Sequence, residues 1–412
     1  MTRQSFCMKG IAEMTRAADL EESVLTEASA QEFGGRSFSV KSEHEVIQKL
    51  RARMKAAGFD ALVAFSQDNV TYTAGFLVPS HATNRFRRTV TIIAGDDFAT
   101  QIVVNVEEKQ AIARSRFQDV RAYDQFREEA VDLLADALTE AGVAEGRIAI
   151  ELDFMPARDF VRLQERLPRA KFDECRDLYF QARMIKTDDE VHILREIGLL
   201  TEKVIHETLP NIRPGMTEID VARILVDGMI SGGSTNFKYR VGSGVNSSIT
   251  NCGTTHKKIE PGDIIRIEVL GDLDNYRSNV TRTAVVGKPT PRQRDIWAKL
   301  IRAREICKTI LMPGTPVAQL YKTYVAACRE SGIEPTIKFL GHGIGQTIHE
   351  EPYITDTREI EFAPNITFTM EPLFMLPGEM GFHTEDMYVI TRNGFDYITG
   401  NISKNDELIE VG

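Results

Sequence analysis

The chain reads KFLGHGIGQTIHEEPYI over residues 338–354 and TFTMEPLFMLPGEMGFHTEDMYVI over residues 367–390. Three side chains with reactive groups lie at the ends of apolar runs in these segments: His342, Glu371 and Glu385. The glycines around His342 leave the backbone bare, so a ligand or a second strand can approach it closely. A carboxylate within an apolar strand is costly unless it is paired, hydrogen-bonded or bound to a metal. The pattern therefore predicts one polar site inside a sheet.

The composition is that of a soluble globular protein, with 42% hydrophobic and 27% charged residues. At 412 residues the chain is long enough for two domains. A net charge of −10 without a basic block argues against a nucleic-acid surface. No apolar run reaches the roughly 18–20 residues of a membrane span, and we expect no signal peptide. Five cysteines without CxxC spacing fit reduced thiols in a cytoplasmic protein.

The N-terminal part is predicted to be an extension over residues 1–40 and an α/β domain over residues 41–175. Apolar strand patterns such as ALVAF at 61–65 and RIAIE at 147–151 alternate there with helical patterns, which is typical of this class.

The C-terminal part, residues 183–412, is predicted to be a second domain that begins with a long helix. Thr187 followed three residues later by Glu190 has the form of a capping box. A hairpin is expected from residues 263–270 and 276–286, ahead of two more helices and the opening segments. The order of helix pairs and strands suggests two similar halves around one antiparallel sheet.

Five phrases in this order carry a family resemblance: EPGD at 260–263, YRSNVTRT at 276–283, GHGIGQTIHEEP at 341–352, TMEP at 369–372 and HTED at 383–386. Together they resemble the methionine aminopeptidase/prolidase/creatinase superfamily, whose fold is called pita-bread. The N-terminal half resembles the creatinase/prolidase N-terminal domain. The resemblance implies an α/β (α+β) protein with a pita-bread catalytic domain built on a curved antiparallel sheet.

The resemblance also implies a set of ligand positions. Metal-dependent members hold a dinuclear site with two Asp, one His and two Glu, and His342, Glu371 and Glu385 match three of these positions. The two Asp positions are occupied by Glu268 and Asn279. A missing bridging charge and a longer side chain disfavour two metals, so we predict no dinuclear centre and expect no cofactor. If one divalent metal binds, its ligands are His342, Glu371 and Glu385.

Creatinases and ectoine hydrolases show a similar loss of ligands. The resemblance therefore implies a metal-independent hydrolase of a C–N bond in a small amidine, guanidino or cyclic ureido or amide acid. We predict His342, Glu371, Glu385, Glu268 and His349 as catalytic residues. His342 is the expected acid–base group because the ordinary pKa of histidine lies near neutrality. Glu268 is a candidate second base or nucleophile.

Three other interpretations stay open. One is an Xaa-Pro dipeptidase or aminopeptidase with a single metal, and another is a non-catalytic pita-bread binding module. A purely structural interpretation pairs the carboxylates of Glu268, Glu371 and Glu385 with Arg266, Arg282 or Lys258.

The substrate-side residues and the assembly are also expectations. Asn251 and His383 stand where relatives carry a substrate-side His and an Arg, and with Asn279 they are predicted to bind the substrate. Arg87 belongs to the loop from His81 to Arg88, and it matches the position from which an arginine of one creatinase-like subunit reaches the active site of the other. We therefore predict a homodimer acting on a small-molecule substrate.

Overall fold

The computed structural model describes residues 44–84, 86–402 and 405–412. The predicted extension at 1–40 and Arg85 lie outside the described residues. The chain divides into two compact units, one built mainly from Asp60–Ile148 and Phe154–Lys171, the other mainly from Phe172–Gly412. The domain boundaries expected from the sequence stay a prediction.

The N-terminal region is a six-stranded sheet with helices, in the strand order β4-β3-β2-β1-β5-β6. Strand β2 pairs antiparallel with β1 and β3, whereas β3 and β4 are parallel. The strands are β1 (Ala61–Ala64), β2 (Val90–Ala94), β3 (Phe98–Val104), β4 (Asp119–Tyr123), β5 (Arg147–Ile150) and β6 (Lys171–Glu174). The helices are α1 (Glu45–Ala56), α2 (Gln67–Ala74), α3 (Pro79–Thr83), α4 (Glu108–Arg114), α5 (Ala130–Glu140), α6 (Ala157–Arg166) and α7 (Arg176–Met184).

The second unit contains two pairs of long helices. They are α8 (Asp188–Thr208), α9 (Glu218–Ser231), α10 (Pro291–Lys308) and α11 (Val317–Glu330). The capping box predicted for α8 is present, because the backbone N–H of Thr187 donates to Glu190 and that of Glu190 donates to the Thr187 hydroxyl. Each side chain satisfies a donor that the first helical turn leaves unpaired.

The first sheet of this unit has the order β17-β11-β8-β7. It consists of β7 (Lys238–Ser243), β8 (Ile264–Leu270), β11 (Val280–Val286) and β17 (Ile409–Val411), with the short hairpin β9 (Asp272–Leu273) and β10 (Tyr276–Arg277) between β8 and β11. The pairs β7–β8 and β8–β11 are antiparallel. Ile265, Ile267 and Val269 share a hydrophobic core with residues of α8 and α9. Because side chains alternate along a strand, Arg266 and Glu268 project from the opposite face.

The remaining strands form two small antiparallel sheets. They are β12 (Thr367–Met370), β13 (Leu373–Leu376), β14 (Met380–His383), β15 (Asp386–Ile390) and β16 (Phe395–Tyr397). Strand β15 lies between β12 and β16, and β13 pairs with β14. A bridge between Thr281 and Glu385 joins β11 to the start of β15. The expected combination of an N-terminal α/β domain and a C-terminal domain rich in antiparallel strand pairs is confirmed, but the single antiparallel sheet expected there is divided into separate sheets, and β17 pairs parallel with β11. Among the described residues, none of the helices combines the length and hydropathy of a membrane span.

Candidate active site

A row of four neighbouring residues crosses the strands at the polar face of β8. Arg240 lies opposite Glu268, which lies opposite Thr281, which bridges to Glu385. These residues come from β7, β8, β11 and the turn before β15, so they are far apart in sequence. The Thr281 hydroxyl donates to Glu385 Oε2 over 3.0 Å, which fixes that carboxylate.

His342 and Glu371 reach the same place from a second pair of extended segments. The backbone N–H of Thr369 donates to the His342 carbonyl and that of Glu371 to the Leu340 carbonyl, both over 2.8 Å. A Cβ atom at Gly341 would collide with the Thr369 carbonyl. Glycine is therefore required there for the backbone to approach β12, as the GHGIG run predicted.

Two carboxylates lie between two imidazole rings. His342 Nε2 is 3.4 Å from Glu371 Oε1 and 3.9 Å from Glu385 Oε1. On the other side, His383 Nε2 is 3.4 Å from Glu371 Oε2 and 3.9 Å from Glu385 Oε2. All four residues are buried. The sequence predicted each of them as a site residue, and the structure places them in one cluster.

The His342 ring is held as a neutral tautomer that presents a lone pair to the carboxylates. Its Nδ1 lies 3.0 Å from the Gly343 carbonyl oxygen. A carbonyl can only accept a hydrogen bond, so Nδ1 carries the proton and Nε2 does not. Among the described residues, His342 Nε2, Glu371 Oε1 and Glu385 Oε1 are buried and have no hydrogen-bond partner. Three electron-rich atoms that face one another require a cation or a proton between them.

The protonation equilibria follow from this crowding. Burial raises the pKa of Glu371 well above its usual range, and the charges of Glu385 and Glu268 raise it further. Burial and then the charge of Glu268 raise the pKa of Glu385 in the same way. Burial and then the nearby His349 lower the pKa of His342 to about 3. An imidazole with its pKa lowered in this way is neutral near pH 7 and offers its Nε2 lone pair to a cation, while the acid–base role of His342 stays a prediction.

Glu268 forms an ion pair with Arg240, a residue that the sequence analysis did not predict. Arg240 Nη1 donates to Glu268 Oε1 over 2.6 Å. Burial raises the pKa of Glu268, and the guanidinium of Arg240 opposes that shift. The sequence suggested Arg266, Arg282 or Lys258 as the partner of Glu268. Among the described residues, the structure pairs Glu268 with Arg240 instead. Only the strand register makes Arg240 the neighbour of Glu268, so the sequence signal for it was weak.

His349 and Asn279 lie beside the cluster. The ring of His349 stacks on that of His342 with 3.8 Å between the centroids, and His349 itself is exposed. It therefore covers the buried imidazole. Asn279, directly before β11, is buried, and its Oδ1 has no hydrogen-bond partner among the described residues. It stands two positions before Thr281 and one residue before β11, so strand alternation extended by that residue would turn it towards the side of Thr281.

Asn251 and Arg87 are the remaining predicted residues, and Cys252 follows Asn251 in the chain. Asn251 is exposed in the turn that follows Thr250. Cys252 is buried, and burial raises the pKa of its thiol, which does not favour a nucleophile. Arg87 belongs to the first unit, where its Nε donates to Gln125 Oε1 over 3.1 Å. The substrate-binding roles of Asn251, Asn279, His383 and Arg87 stay predictions.

The cluster fits a single metal ion. His342, Glu371 and Glu385 offer one ligand atom each, all within 4.8 Å of one another. Atoms that share an ion at about 2.1 Å lie roughly 3 to 4 Å apart, close to the separations within this cluster. The neutral imidazole with its second nitrogen donating to a carbonyl is the usual form of a histidine ligand.

Comparisons with known proteins point towards peptidases. The probable dipeptidase PepE of Mycobacterium tuberculosis is 30% identical over 249 residues, which span 59% of this chain and 65% of that protein. The Xaa-Pro dipeptidase of Pyrococcus furiosus is 27% identical over 86% of this chain and 97% of its own length. The crystal structure of dipeptidase PepE from Mycobacterium ulcerans has a TM-score of 0.79 at 26% identity, covering 90% of this chain and 99% of that one.

The expected creatinase-like, metal-independent hydrolysis of an amidine, guanidino or ureido acid is wrong. The named relatives are mostly Xaa-Pro dipeptidases and dipeptidases, whereas a creatinase from Bacillus sp. is 22% identical. The expectation relied on two substituted ligand positions, Glu268 and Asn279. It gave these substitutions more weight than the three retained ligands, which the sequence had also named for one ion and which lie together in the structure.

Two family models account for most of the chain. The creatinase/prolidase N-terminal domain matches residues 47–185, and metallopeptidase family M24 matches residues 192–392. The site cluster lies entirely within the second match. These matches confirm the expected relationship to the creatinase/prolidase family. The chain belongs to the pita-bread M24 superfamily.

Proposed function

We propose that this protein is a metal-dependent peptidase that cleaves short peptides, with Xaa-Pro dipeptides as the first class of substrate. One divalent ion is held by His342, Glu371 and Glu385. The observation that carries the proposal is the set of three buried, mutually facing atoms without hydrogen-bond partners among the described residues. The names of the relatives supply the substrate class.

A divalent ion supplies Lewis acidity for the peptide carbonyl and for the attacking water. The protein's own groups then have separate tasks. Hydrogen bonding of Nδ1 to the Gly343 carbonyl keeps Nε2 of His342 free to bind. The Thr281 hydroxyl fixes one oxygen of Glu385 and leaves the other towards His342.

Glu371 is the group best placed to move a proton. Its Oε1 faces His342, while its Oε2 faces His383 at 3.4 Å. The carboxylate oxygen that faces away from the ion-binding atoms can accept a proton from water and return it to the leaving nitrogen. Glu268 is held by Arg240, and it has no nucleophilic role in this mechanism.

The exposed ring of His349 is the part of this cluster that a substrate meets first. A ring stacked on His342 can contact a peptide and also limit the access of water. We assign it to positioning of the substrate.

The test combines metal analysis with a peptide panel. The purified protein is assayed with Ala-Pro, Gly-Pro, Ala-Ala and Ala-Pro-Ala, before and after chelation and after addition of Mn²⁺ or Zn²⁺. We expect hydrolysis of the dipeptides that is lost on chelation and restored by metal. Hydrolysis unaffected by chelation would contradict the proposal, and so would a metal-loaded protein that cleaves none of the peptides. The latter result would favour the binding-module alternative.

Variants locate the activity in the cluster. His342→Ala should lower metal affinity and turnover by more than the about 10–100-fold that loss of an outer-shell partner costs. The matched control is His206→Ala, because His206 is an exposed histidine on α8. Wild-type metal content in His342→Ala would show that the ion binds elsewhere.

A further inference from the structure

The ion pair of Arg240 and Glu268 stands at the edge of the proposed metal site. The two side chains are 28% and 10% exposed, and the contact of 2.6 Å is fixed by adjacent positions on β7 and β8. Among the described residues, Arg240 is the one lysine or arginine within ion-pair distance of Glu268, Glu371 or Glu385. Its charge is therefore part of the site.

Two other buried arginines near β8 have hydrogen-bond partners outside the cluster, and the charge of Arg266 acts on Glu268 without an ion-pair contact. Arg266 Nη2 donates to the carbonyls of Ile249 and Thr250, and its Nη1 contacts Met375 Sδ. Arg282 Nη2 donates to Glu202 and Asp386. Neither forms an ion pair with the carboxylates of the cluster among the described residues.

The charges of the contacting groups balance with one ion. The carboxylates of Glu268, Glu371 and Glu385 carry three negative charges when ionised, and the imidazole of His342, whose Nδ1 donates to the Gly343 carbonyl, adds none as a ligand. One divalent cation and the guanidinium of Arg240 carry three positive charges. A fourth carboxylate at position 279, where the chain has Asn279, would leave room for a second divalent ion only if the guanidinium were absent.

We propose that the guanidinium of Arg240 takes the place of a second metal ion and, together with the neutral Asn279, restricts this site to one divalent cation. The inference rests on the proposed function for the first ion. Arg240 reaches Glu268 because the register of β7 on β8 places these two residues opposite each other. A second cation would have to displace that guanidinium and share Glu268 with an uncharged amide.

The experiment counts metal ions in four proteins: wild type, Arg240→Gln, Asn279→Asp and the double variant. Each is equilibrated with excess Mn²⁺, dialysed and analysed for manganese per chain, with electron paramagnetic resonance to detect a spin-coupled pair. We expect one ion in the wild type and in both single variants. The double variant should bind two, with a coupled-pair spectrum.

Two further variants distinguish the effect of the positive charge at position 240 from the effect of losing any ion pair of similar exposure. Arg240→Lys combined with Asn279→Asp keeps the positive charge and should stay at one ion. Lys257→Gln combined with Asn279→Asp is the matched control. Lys257 forms a 2.6 Å ion pair with Asp263 of similar exposure, 23% and 14%, in the same unit. This control variant, Lys257→Gln with Asn279→Asp, should also bind one ion.

The outcomes distinguish this inference from the proposed function. One ion in a folded double variant, or two ions in Asn279→Asp alone, overturns the role of Arg240 and leaves the single-metal peptidase intact. A wild type without metal overturns both, and a wild type with two ions overturns this inference. Thermal unfolding checks the fold of each variant. If the double variant does not fold, Arg240→Met with Asn279→Asp replaces it, since methionine keeps the apolar stem.

Discussion

The buried ion pair between Lys186 and Glu350 packs beside the segment that carries His342, and we predict that breaking it lowers the stability of the C-terminal unit. Lys186 Nζ donates to Glu350 Oε1 over 2.5 Å, and both side chains are 1% exposed. The pair packs on the GHGIG run, because a Cβ atom at Gly345 would lie 2.5 Å from Glu350 Oε1 and 2.9 Å from the Lys186 side chain. Lys186→Met would leave the Glu350 carboxylate buried without its main partner.

Breaking a buried pair by removing one partner costs about 3–5 kcal/mol. Arg183 Nε stays 3.5 Å from Glu350 Oε2, and the Thr347 hydroxyl donates to the same oxygen, so we expect the lower end of that range. For a folding unit of this size, about 1 kcal/mol corresponds to about 2–4 °C in Tm. Lys186→Met should therefore lower the Tm of the C-terminal unit by roughly 6–12 °C.

The assay is calorimetric or circular-dichroism melting of the whole chain. Lys299→Met is the control, since Lys299 pairs with Asp295 over 2.7 Å at the surface and such pairs contribute about 0–1 kcal/mol. Replacing both partners, as Lys186→Met with Glu350→Gln, should cost less than Lys186→Met alone, because no charge is left unpaired. Equal shifts in Lys186→Met and Lys299→Met would refute the reasoning.

Further predictions concern the site and the assembly. Thr281→Val removes the hydroxyl that fixes Glu385 and should weaken metal affinity by about 10–100-fold, measured by titration with Mn²⁺; unchanged affinity would show that this hydrogen bond does not orient the ligand. Cys252→Ser should keep turnover with peptides within about threefold, since burial raises the thiol pKa and thiolate is the reactive form; loss of activity would show that this thiol takes part in the reaction. We further propose the homodimer predicted from the sequence, in which the 91% exposed Phe86 and the 87% exposed Phe126 contribute to the interface. Phe86→Ser with Phe126→Ser should shift the protein towards monomer in light scattering, and a wild type that is already monomeric would contradict it.

Local patterns determined much of the fold. The capping box at Thr187 and Glu190 and the alternation of β8 depend on neighbours in sequence, so the amino-acid sequence alone is enough to predict them. The glycines around His342 likewise indicate a close backbone approach that the structure contains. Three ligand candidates, His342, Glu371 and Glu385, could be selected from motif phrases alone, and they lie together.

Tertiary structure decided the electrostatics of the site. The sequence offered Arg266, Arg282 and Lys258 as partners of Glu268, whereas the register of β7 on β8 brings Arg240 there. A cross-strand partner is set by register over 28 positions, and no local pattern encodes it.

The protonation state of His342 also could not be predicted from the sequence. Its ordinary pKa suggested an acid–base group, but complete burial beside His349 lowers the pKa to about 3. The cost of charging a group depends on everything packed around it, including segments distant in sequence. The sequence therefore determined which side chains could form the site. Only the packing of β8, β11, β12 and β15 brings the ligand atoms of His342, Glu371 and Glu385 to separations that suit one metal ion.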